Sequence, residues 1–357
     1  MKKNVIVHRE DGRFCGWPAN HGMWCWGNEI LVAFKEGKFH NISHDHAFDR
    51  SEPTRVLMGR SLDGGETWSI TDPEMKKFPD LPKGVRINMN DVGECPGGID
   101  FSNPDFCLNF AMSACDSNAD SWWYWSGDRG HSWNGPYSIP NFGFPNIQAR
   151  TDYHVLNKDE VLIFLTAGRH CAEGREGRVI CVKLCEGGKR FELVGLVGEE
   201  PNPEGHCIMP TTGIRKNGEI VCICRIWYVN MDGSFSFFAQ QFSSADQGKT
   251  WKFDGIPIPC TGDYNGNPAA LVVMKDGTWA LSYGVRREPY RICVRFSDDE
   301  GRTWGKEQIV RDDGGSWDLG YPRMVEREDG KLVVAYYYST NPTVDRHVAA
   351  TFFDREL

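Results

Sequence analysis

An eight-residue box with the pattern S-x-D-x-G-x-T-W recurs along this chain and restricts its fold more than any other feature. Three copies match every fixed position and a fourth has Ser in place of Thr; they occupy residues 61–68, 126–133, 244–251 and 297–304. Asp accepts hydrogen bonds from the backbone of its own loop, Gly adopts a positive φ, and Trp gives the next strand an apolar anchor. Each box therefore predicts a β-hairpin inside a repeated unit.

The spacing of the boxes indicates one architecture. The tryptophans that close them are Trp68, Trp133, Trp251 and Trp304, so the middle interval is about twice the others. Near its midpoint, residues 184–191 keep an acidic residue, a Gly and an aromatic residue at the right offsets, and we interpret this segment as a decayed fifth box. Repeats of about 50 to 65 residues with several short strands each are typical of a β-propeller.

Six apolar stretches, each entered from a polar turn, give the number of units. They are residues 29–34, 106–111, 161–165, 220–224, 278–283 and 332–337. The sequence therefore predicts an all-β fold, a six-bladed β-propeller of four-stranded antiparallel blades, in a single domain spanning residues 1–357. The last unit has no box after it. We expect residues 4–8 to supply its outer strand and to close the ring, since closure removes exposed sheet edges.

Charge and composition exclude some partners. The formal net charge is −9 and no basic run occurs, which argues against a nucleic-acid-binding surface. No stretch has the length and apolar character of a membrane span or of a signal peptide, so we expect no membrane partner. The 13 cysteines form no CxxC pair, which favours free thiols in a cytoplasmic protein. A secreted or periplasmic protein whose signal peptide is missing from the sequence is the alternative.

A repeated box of this kind in six units resembles the sialidase (neuraminidase) superfamily, also described as BNR or Asp-box proteins, over essentially the whole chain. The box is specific for the fold but weak for function, because non-catalytic propellers also carry it. The resemblance implies an exo-acting glycoside hydrolase that releases a terminal acidic sugar, with sialic acid as the best guess. It implies a glycan as the partner, no cofactor and no metal ion.

The same resemblance suggests catalytic residues. Sialidases use a Tyr nucleophile assisted by a Glu, and an Asp as the acid/base. Tyr321, in the segment Asp-Leu-Gly-Tyr-Pro, matches the position of the nucleophile. Asp45 lies in the long polar loop of the first unit, where the acid/base belongs, and Asp49 is its close competitor.

Sialidases hold the substrate carboxylate with three arginines, whose forked donors match a carboxylate. Arg225 closes an apolar stretch and matches the arginine that ends the second strand of blade four. In blade five Arg287, Arg291 or Arg295 could supply another, and Arg287 is favoured because it follows the second strand.

Four further residues are candidates for substrate binding by their position near strand starts. Arg150 and Asp152 open the third inner strand, although an internal ion pair would explain them equally well. Trp17 and Trp317 are suited to stack on a sugar ring, although packing between blades is the alternative.

Two departures from the superfamily pattern concern the chemistry itself. Gly16 stands where the first arginine should be, and Met209 stands where the Glu should be. Arg13 or a blade-five arginine is a candidate replacement for the first. His206, and after it Glu204, is a candidate replacement for the second.

Two other functions therefore stay open. The losses of the arginine and the Glu are typical of a glycan-binding propeller that has abandoned catalysis. A different sugar-cleaving chemistry, lyase or hydrolase, would use His206 or His46 together with Tyr321 as the acid/base pair.

Overall fold

The computed structural model describes residues 2–42, 45–73, 75, 92–115, 119–169, 176–199, 205–341 and 344–355. Within them the regular secondary structure is almost wholly antiparallel β-strand, with one short helix, α1 (Pro18–His21), and a 3-10 turn at Glu186–Gly188. Nothing helical in this part of the chain has the length and apolarity that a membrane span requires. The all-β prediction is confirmed.

The described strands fall into six successive groups by their antiparallel pairing. The N-terminal strand β1 (Lys3–His8) belongs to the last of them. The first group contains β2 (Arg13–Gly16), β3 (Met23–Trp26), β4 (Glu29–Lys38), β5 (Arg55–Ser61) and β6 (Ser69–Thr71). The second contains β7 (Cys107–Met112), β8 (Ser121–Ser126) and β9 (Asn134–Ser138). The third contains β10 (Ile147–Gln148), β11 (Tyr153–Asn157), β12 (Glu160–Gly168), β13 (Glu176–Cys185) and β14 (Arg190–Leu196).

The remaining three groups are regular four-stranded meanders. The fourth contains β15 (His206–Ile214), β16 (Ile220–Val229), β17 (Phe235–Ser244) and β18 (Lys252–Ile258). The fifth contains β19 (Ala269–Val273), β20 (Trp279–Val285), β21 (Tyr290–Ser297) and β22 (Gln308–Gly314). The sixth contains β23 (Gly320–Glu326), β24 (Leu332–Tyr338) and β25 (His347–Phe353), with β1 on its outer edge. Such repeated meanders are the blades of a β-propeller. Six groups among the described strands agree with the spacing of the sequence, and the blade count itself stays a prediction.

The two termini meet in the last group. β1 pairs antiparallel with β25, with Val5 opposite Ala350, so the prediction that residues 4–8 supply the outer strand is confirmed. A parallel bridge between Phe14 and Arg346 links the first group to the last. The outer edge of β25 is therefore covered by the other end of the chain, which removes an exposed sheet edge.

Each box forms the hairpin between the last two strands of its group. In the box at 297–304, Ser297 Oγ donates to Asp299 Oδ1 at 2.7 Å and accepts from the Gly301 amide at 2.8 Å. The Asp299 carboxylate also accepts from the amide and hydroxyl of Thr303, at 2.8 and 2.6 Å. Glu300 has φ 61° and Gly301 φ 78°, so the turn is left-handed. The decayed box forms the corresponding connection from β13 to β14 through Glu186–Gly188.

Apolar layers between neighbouring groups form the core. One layer packs Phe110 and Trp123 of the second group against Ile163 and Ile180 of the third. Another packs Ile223 of the fourth group against Leu281 of the fifth. These layers fix the groups relative to one another, and they hold the polar ends of the inner strands in fixed positions.

Candidate functional site

Three Xaa-Pro pairs bring side chains from three groups into one cluster. Trp17, Met209 and Tyr321 each precede a proline and have φ of 60°, 50° and 49°. For Met209 and Tyr321 the following proline interrupts the strand, and the register shifts there in β15 and β23. A left-handed residue other than Gly is unfavourable and persists only where the surroundings hold it. The three side chains pack together with Phe14 and Tyr337, and we call this assembly the Tyr321 cluster.

Asn267 holds Tyr321 in this conformation. Its Oδ1 accepts from the Tyr321 amide at 2.8 Å, and its Nδ2 donates to the Leu319 carbonyl at 2.9 Å. A Cβ on Gly320 would lie 2.3 Å from Asn267 Oδ1, so only Gly fits between them. Because Tyr321 is fixed on both sides, its phenol has a defined position, with 8% of the residue exposed.

Two buried arginines lie against the Tyr321 ring. Arg225 Nη1 donates to Tyr321 Oη at 3.0 Å, and its other donors bond to the Asn265 carbonyl. Arg286 lies 5.4 Å from the centre of the Tyr321 ring and donates to Tyr337 Oη at 2.8 Å. Within the part of the chain that the structure describes, neither guanidinium is hydrogen-bonded to a carboxylate. The charge of Arg225 is therefore available to an anionic group that enters the cluster, whereas the charge of Arg286 also stabilises the buried Asp318 carboxylate.

A His–Asp pair completes the other side of the cluster. Asp318, 1% exposed, bonds through Oδ1 to His46 Nδ1 at 2.6 Å and accepts from Tyr337 Oη at 2.6 Å. Burial alone raises the pKa of Asp318, but His46, Arg346 and Arg286 outweigh it and hold that pKa well below its usual range. Burial lowers the pKa of His46, against the opposing effect of Asp318, so the imidazole is neutral at neutral pH. The His46 ring lies 6.0 Å from the Tyr321 ring.

A second carboxylate lies beside Arg150. Arg150 Nη2 donates to Glu176 Oε1 at 2.5 Å and its Nε donates to Asn20 Oδ1 at 3.1 Å. The partner of Arg150 is thus Glu176 at the start of β13, and not Asp152. Asp152 is buried and faces Arg323 and Thr212, and burial raises its pKa. The ion pair considered from the sequence, Arg150 with Asp152, is therefore not formed, because Arg150 pairs with Glu176 and Asp152 faces Arg323.

The arginine of the fifth group that lies against Tyr321 is Arg286. It is none of the three candidates from the sequence, Arg287, Arg291 and Arg295, of which Arg287 was favoured. Arg287 forms an exposed ion pair with Asp263 at 2.7 Å. Arg291 pairs with Glu307 at 3.1 Å. Arg286 directly follows β20 and points the opposite way from its neighbour, because consecutive residues of an extended chain alternate between faces.

The residues predicted as the acid/base and as the replacement for the missing Glu also differ from expectation in their surroundings. Asp45 is bonded to Arg50 on the exposed side of its loop, and the next residue, His46, is the one that reaches Tyr321. Asp49 bonds to Ser51. His206 is 7% exposed with its ring against Trp227, and burial holds its pKa well below the usual value. Glu204 lies outside the described residues.

Of the remaining candidates, Trp17 lies inside the Tyr321 cluster, and Trp317 and Arg13 lie outside it. Trp17 packs on Phe14 and lies 5.1 Å from the His46 ring, inside the Tyr321 cluster. Trp317 stacks on Tyr264 at 4.4 Å and lies 5.3 Å from the Arg286 guanidinium. Arg13 pairs with buried Glu36, so it does not replace the missing first arginine.

Sequence reasoning missed Arg286, Asp318, Tyr337 and Glu176. Asp318 stands three residues before Tyr321, and this proximity was the only signal available for it. Arg286 adjoins the favoured Arg287, but the strand register decides between them. Nothing local marks Tyr337 or Glu176, because long-range packing brings them into place. No group of His, Cys, Asp or Glu among the described residues is arranged to hold a metal ion.

Comparison with solved structures shows the same fold. A protein of unknown function from Dyadobacter fermentans has a TM-score of 0.70 and 19% identity, covering 98% of this chain and 97% of that one. An α-L-arabinanase from Penicillium chrysogenum, complexed with arabinobiose, has a TM-score of 0.60 and 15% identity over 98% and 97%. The NanB sialidase from Streptococcus pneumoniae has a TM-score of 0.60 and 11% identity, covering 98% of this chain and 70% of that one.

The comparisons by sequence give one family. A search of curated proteins found no match. The model of the BNR repeat-like domain matches residues 110–334, which is more than half of the chain. The protein therefore belongs to the BNR repeat-like domain family.

Proposed function

We propose that this protein is an exo-acting glycoside hydrolase that removes a terminal acidic sugar at the Tyr321 cluster. One observation carries the proposal: Tyr321 Oη accepts from Arg225 at 3.0 Å while Arg286 lies 5.4 Å from its ring, and no carboxylate among the described residues is hydrogen-bonded to either arginine. Two buried guanidinium groups beside a fixed phenol provide a nucleophile and a binding site for the carboxylate of the sugar. Sialic acid is our first choice of sugar.

The first chemical step forms a bond between the sugar and Tyr321. The phenol oxygen attacks the anomeric carbon, the bond to the leaving group breaks, and the phenol proton passes through His46 to the leaving oxygen. Asp318 holds Nδ1 of His46 at 2.6 Å, which leaves Nε2 to accept and return the proton. Water then attacks the same carbon, gives one proton to the tyrosine oxygen through His46, and releases the sugar.

His46 has this role because no carboxylate occupies the usual place. Met209 stands there, and its Sδ lies 3.3 Å from Arg225 Nη1. A thioether accepts no proton at neutral pH. A neutral phenol and a neutral imidazole also avoid repelling an anionic substrate, which two carboxylates would not do.

The solved structures with this fold support sugar cleavage more than they support a particular sugar. One is an arabinanase and another a sialidase, so neutral and acidic sugars are both represented. Arg225 and Arg286 favour the acidic class. The stacked pair Tyr264 and Trp317 beside Arg286 suits one face of the sugar ring.

The His46–Asp318 pair also favours a second candidate, a lyase. The neutral imidazole of His46 is suited to remove the proton α to a sugar carboxylate that the guanidinium groups of Arg225 and Arg286 bind. The leaving group then departs with a proton from Tyr321. The product would be an unsaturated acidic sugar that absorbs in the near ultraviolet.

A panel of chromogenic glycosides, with sialosides, uronides and arabinosides, tests the proposal. We expect release of an acidic sugar and little action on the arabinosides. Mass spectrometry of the product distinguishes hydrolysis, which adds water, from elimination, which does not. Binding of an acidic glycan by calorimetry with no product would instead identify a non-catalytic propeller.

A further inference from the structure

A row of aromatic side chains lies beside the hairpin between β16 and β17. Trp227 lies opposite His206 in β15 and opposite Phe237 in β17, and its ring centre is 5.5 Å from that of His206. Phe235 packs on Trp227 at 5.5 Å and is 52% exposed. We call Trp227, Phe235 and Phe237 the aromatic ridge. The sialidase-like reaction makes no use of it.

The ridge is continuous with the Tyr321 cluster. Arg225 stands two residues before Trp227 in the same strand, so both side chains lie on the same face of the sheet. Arg225 bonds to Tyr321 and to the Asn265 carbonyl. The Phe237 carbonyl accepts from the Thr261 amide at 2.8 Å, so the ridge and the loop before β19 are joined. Arg225 therefore joins the Tyr321 cluster to the strand that carries Trp227.

Buried polar atoms beside the ridge lack partners. His206 Nε2 and the Trp227 indole N–H are both buried and have no hydrogen-bond partner among the described residues. His206 as a whole is 7% exposed. A buried polar atom without a partner is unfavourable, so these two atoms suit a ligand that carries hydroxyl groups.

Polar residues also stand at the tip of the hairpin. Asn230 Nδ2 donates to Ser234 Oγ and Ser236 Oγ at 2.9 and 3.0 Å. Because side chains alternate along β17, the Ser236 hydroxyl lies on the face of the sheet opposite to the Phe235 ring. A sugar ring has an apolar C–H face and hydroxyl groups around its rim. The exposed Phe235 ring matches the C–H face, and the unpartnered polar atoms of His206 and Trp227 match the hydroxyl groups.

We propose that the aromatic ridge is a second sugar subsite, which binds the ring next to the terminal sugar on the leaving-group side. The natural substrate is then an oligosaccharide or polysaccharide and not a small glycoside. The location of the terminal sugar in this inference rests on the proposed function.

Calorimetry with the Tyr321→Phe variant tests the subsite without turnover. The probes are trisaccharides ending in sialic acid or glucuronic acid, and the methyl glycosides of the same terminal sugars. We expect the better trisaccharide to bind about tenfold more tightly than its methyl glycoside, in keeping with one aromatic stacking contact. Adding Phe235→Ala should remove this advantage and leave the affinity for the methyl glycoside unchanged.

Phe253→Ala is the matched control. Phe253 is 50% exposed in β18 and packs on Phe242, away from the ridge, so its removal should leave the advantage intact. The inference is overturned if the trisaccharide and the methyl glycoside bind equally, if neither binds, or if the advantage survives Phe235→Ala. A wild-type dimer in sedimentation that Phe235→Ala dissolves would also overturn it, because a second copy would then cover the ridge.

The result of the test of the subsite can be distinguished from the result of the test of the proposed function. If Phe235→Ala removes the trisaccharide advantage while the wild-type protein cleaves no glycoside, the subsite stands and the hydrolase does not. If wild-type protein cleaves small acidic glycosides and Phe235→Ala changes no affinity, the hydrolase stands and the subsite does not.

Discussion

Arg286 and Arg287 are neighbours in the chain and have opposite environments. Arg286 is 1% exposed and bonds to Tyr337, whereas the Arg287 side chain is 60% exposed and pairs with Asp263. One residue of strand register therefore decides which guanidinium lies beside Tyr321. The same contrast provides a control for the role of buried positive charge.

Replacing Arg225 should weaken substrate binding. A hydrogen bond to a charged group contributes about 1.5–3 kcal/mol, so Arg225→Ala should raise KM for an acidic glycoside about tenfold to a hundredfold. Steady-state kinetics measures this, with Arg287→Ala as the control that should change KM by less than about twofold. An equal loss on an uncharged glycoside would show that Arg225 does not recognise the acid.

The His46–Asp318 pair predicts the acid side of the pH profile. His46 must be neutral to accept the phenol proton, and burial lowers its pKa below 6.5. Activity should therefore be complete at neutral pH and fall as the pH drops below that value and the imidazole becomes protonated. Asp318→Asn should lower kcat. Because Oδ2 of Asp318 accepts from the Ala47 amide, the Asn oxygen would stay there and its NH2 group would face His46, so Nδ1 would lose the acceptor that fixes it as the protonated nitrogen. A pH–rate profile whose acid side is unchanged in His46→Gln would contradict this role.

The hairpins could be predicted from the sequence because their hydrogen bonds are local. In each intact box Ser and Asp form hydrogen bonds within the eight residues of the box, so the residue pattern is sufficient to predict the hairpin. The strand β1 was also predictable, since the last repeat lacked a fourth strand. Asp45 and Arg287 show the limit of such reasoning. The sequence places both in the correct segment, but loop conformation and strand register place His46 and Arg286, one residue away, at the site.

The box carboxylates should matter for folding and not for chemistry. Asp299→Ala removes acceptors for Ser297 and Thr303 and should destabilise the fold by about 1–3 kcal/mol. Urea unfolding measures the loss. The folded fraction should keep its kcat, and a fully stable but inactive variant would contradict the assignment.

The same carboxylates predict acid sensitivity. Burial raises the pKa of Asp299, but bonds from Thr303 and Ser297 outweigh it and lower the pKa from 3.8 to about 2. The stabilisation is therefore complete above about pH 4 and is lost as the pH falls towards 2. The urea midpoint of the wild-type protein should fall over this range more than that of Asp299→Asn.

The whole molecule depends on its two ends meeting. β1 covers β25, and Val7 packs with Val333 and Ala350 in the core of the last group. Deleting residues 1–9 should expose a sheet edge, lower the melting temperature and promote association. Calorimetry and sedimentation of the shortened chain check this, and unchanged thermal stability would contradict the closure.

Tyr321→Phe tests whether the Tyr321 cluster cleaves an acidic glycoside. The variant loses one oxygen and keeps the ring that packs with Tyr337 and His46. Turnover of the best acidic glycoside should be followed by mass spectrometry for both proteins, with circular dichroism to confirm that the variant is folded. We expect a hydrolysed sugar product from the wild-type protein and none from folded Tyr321→Phe. Full activity of Tyr321→Phe on the same glycoside would contradict this expectation.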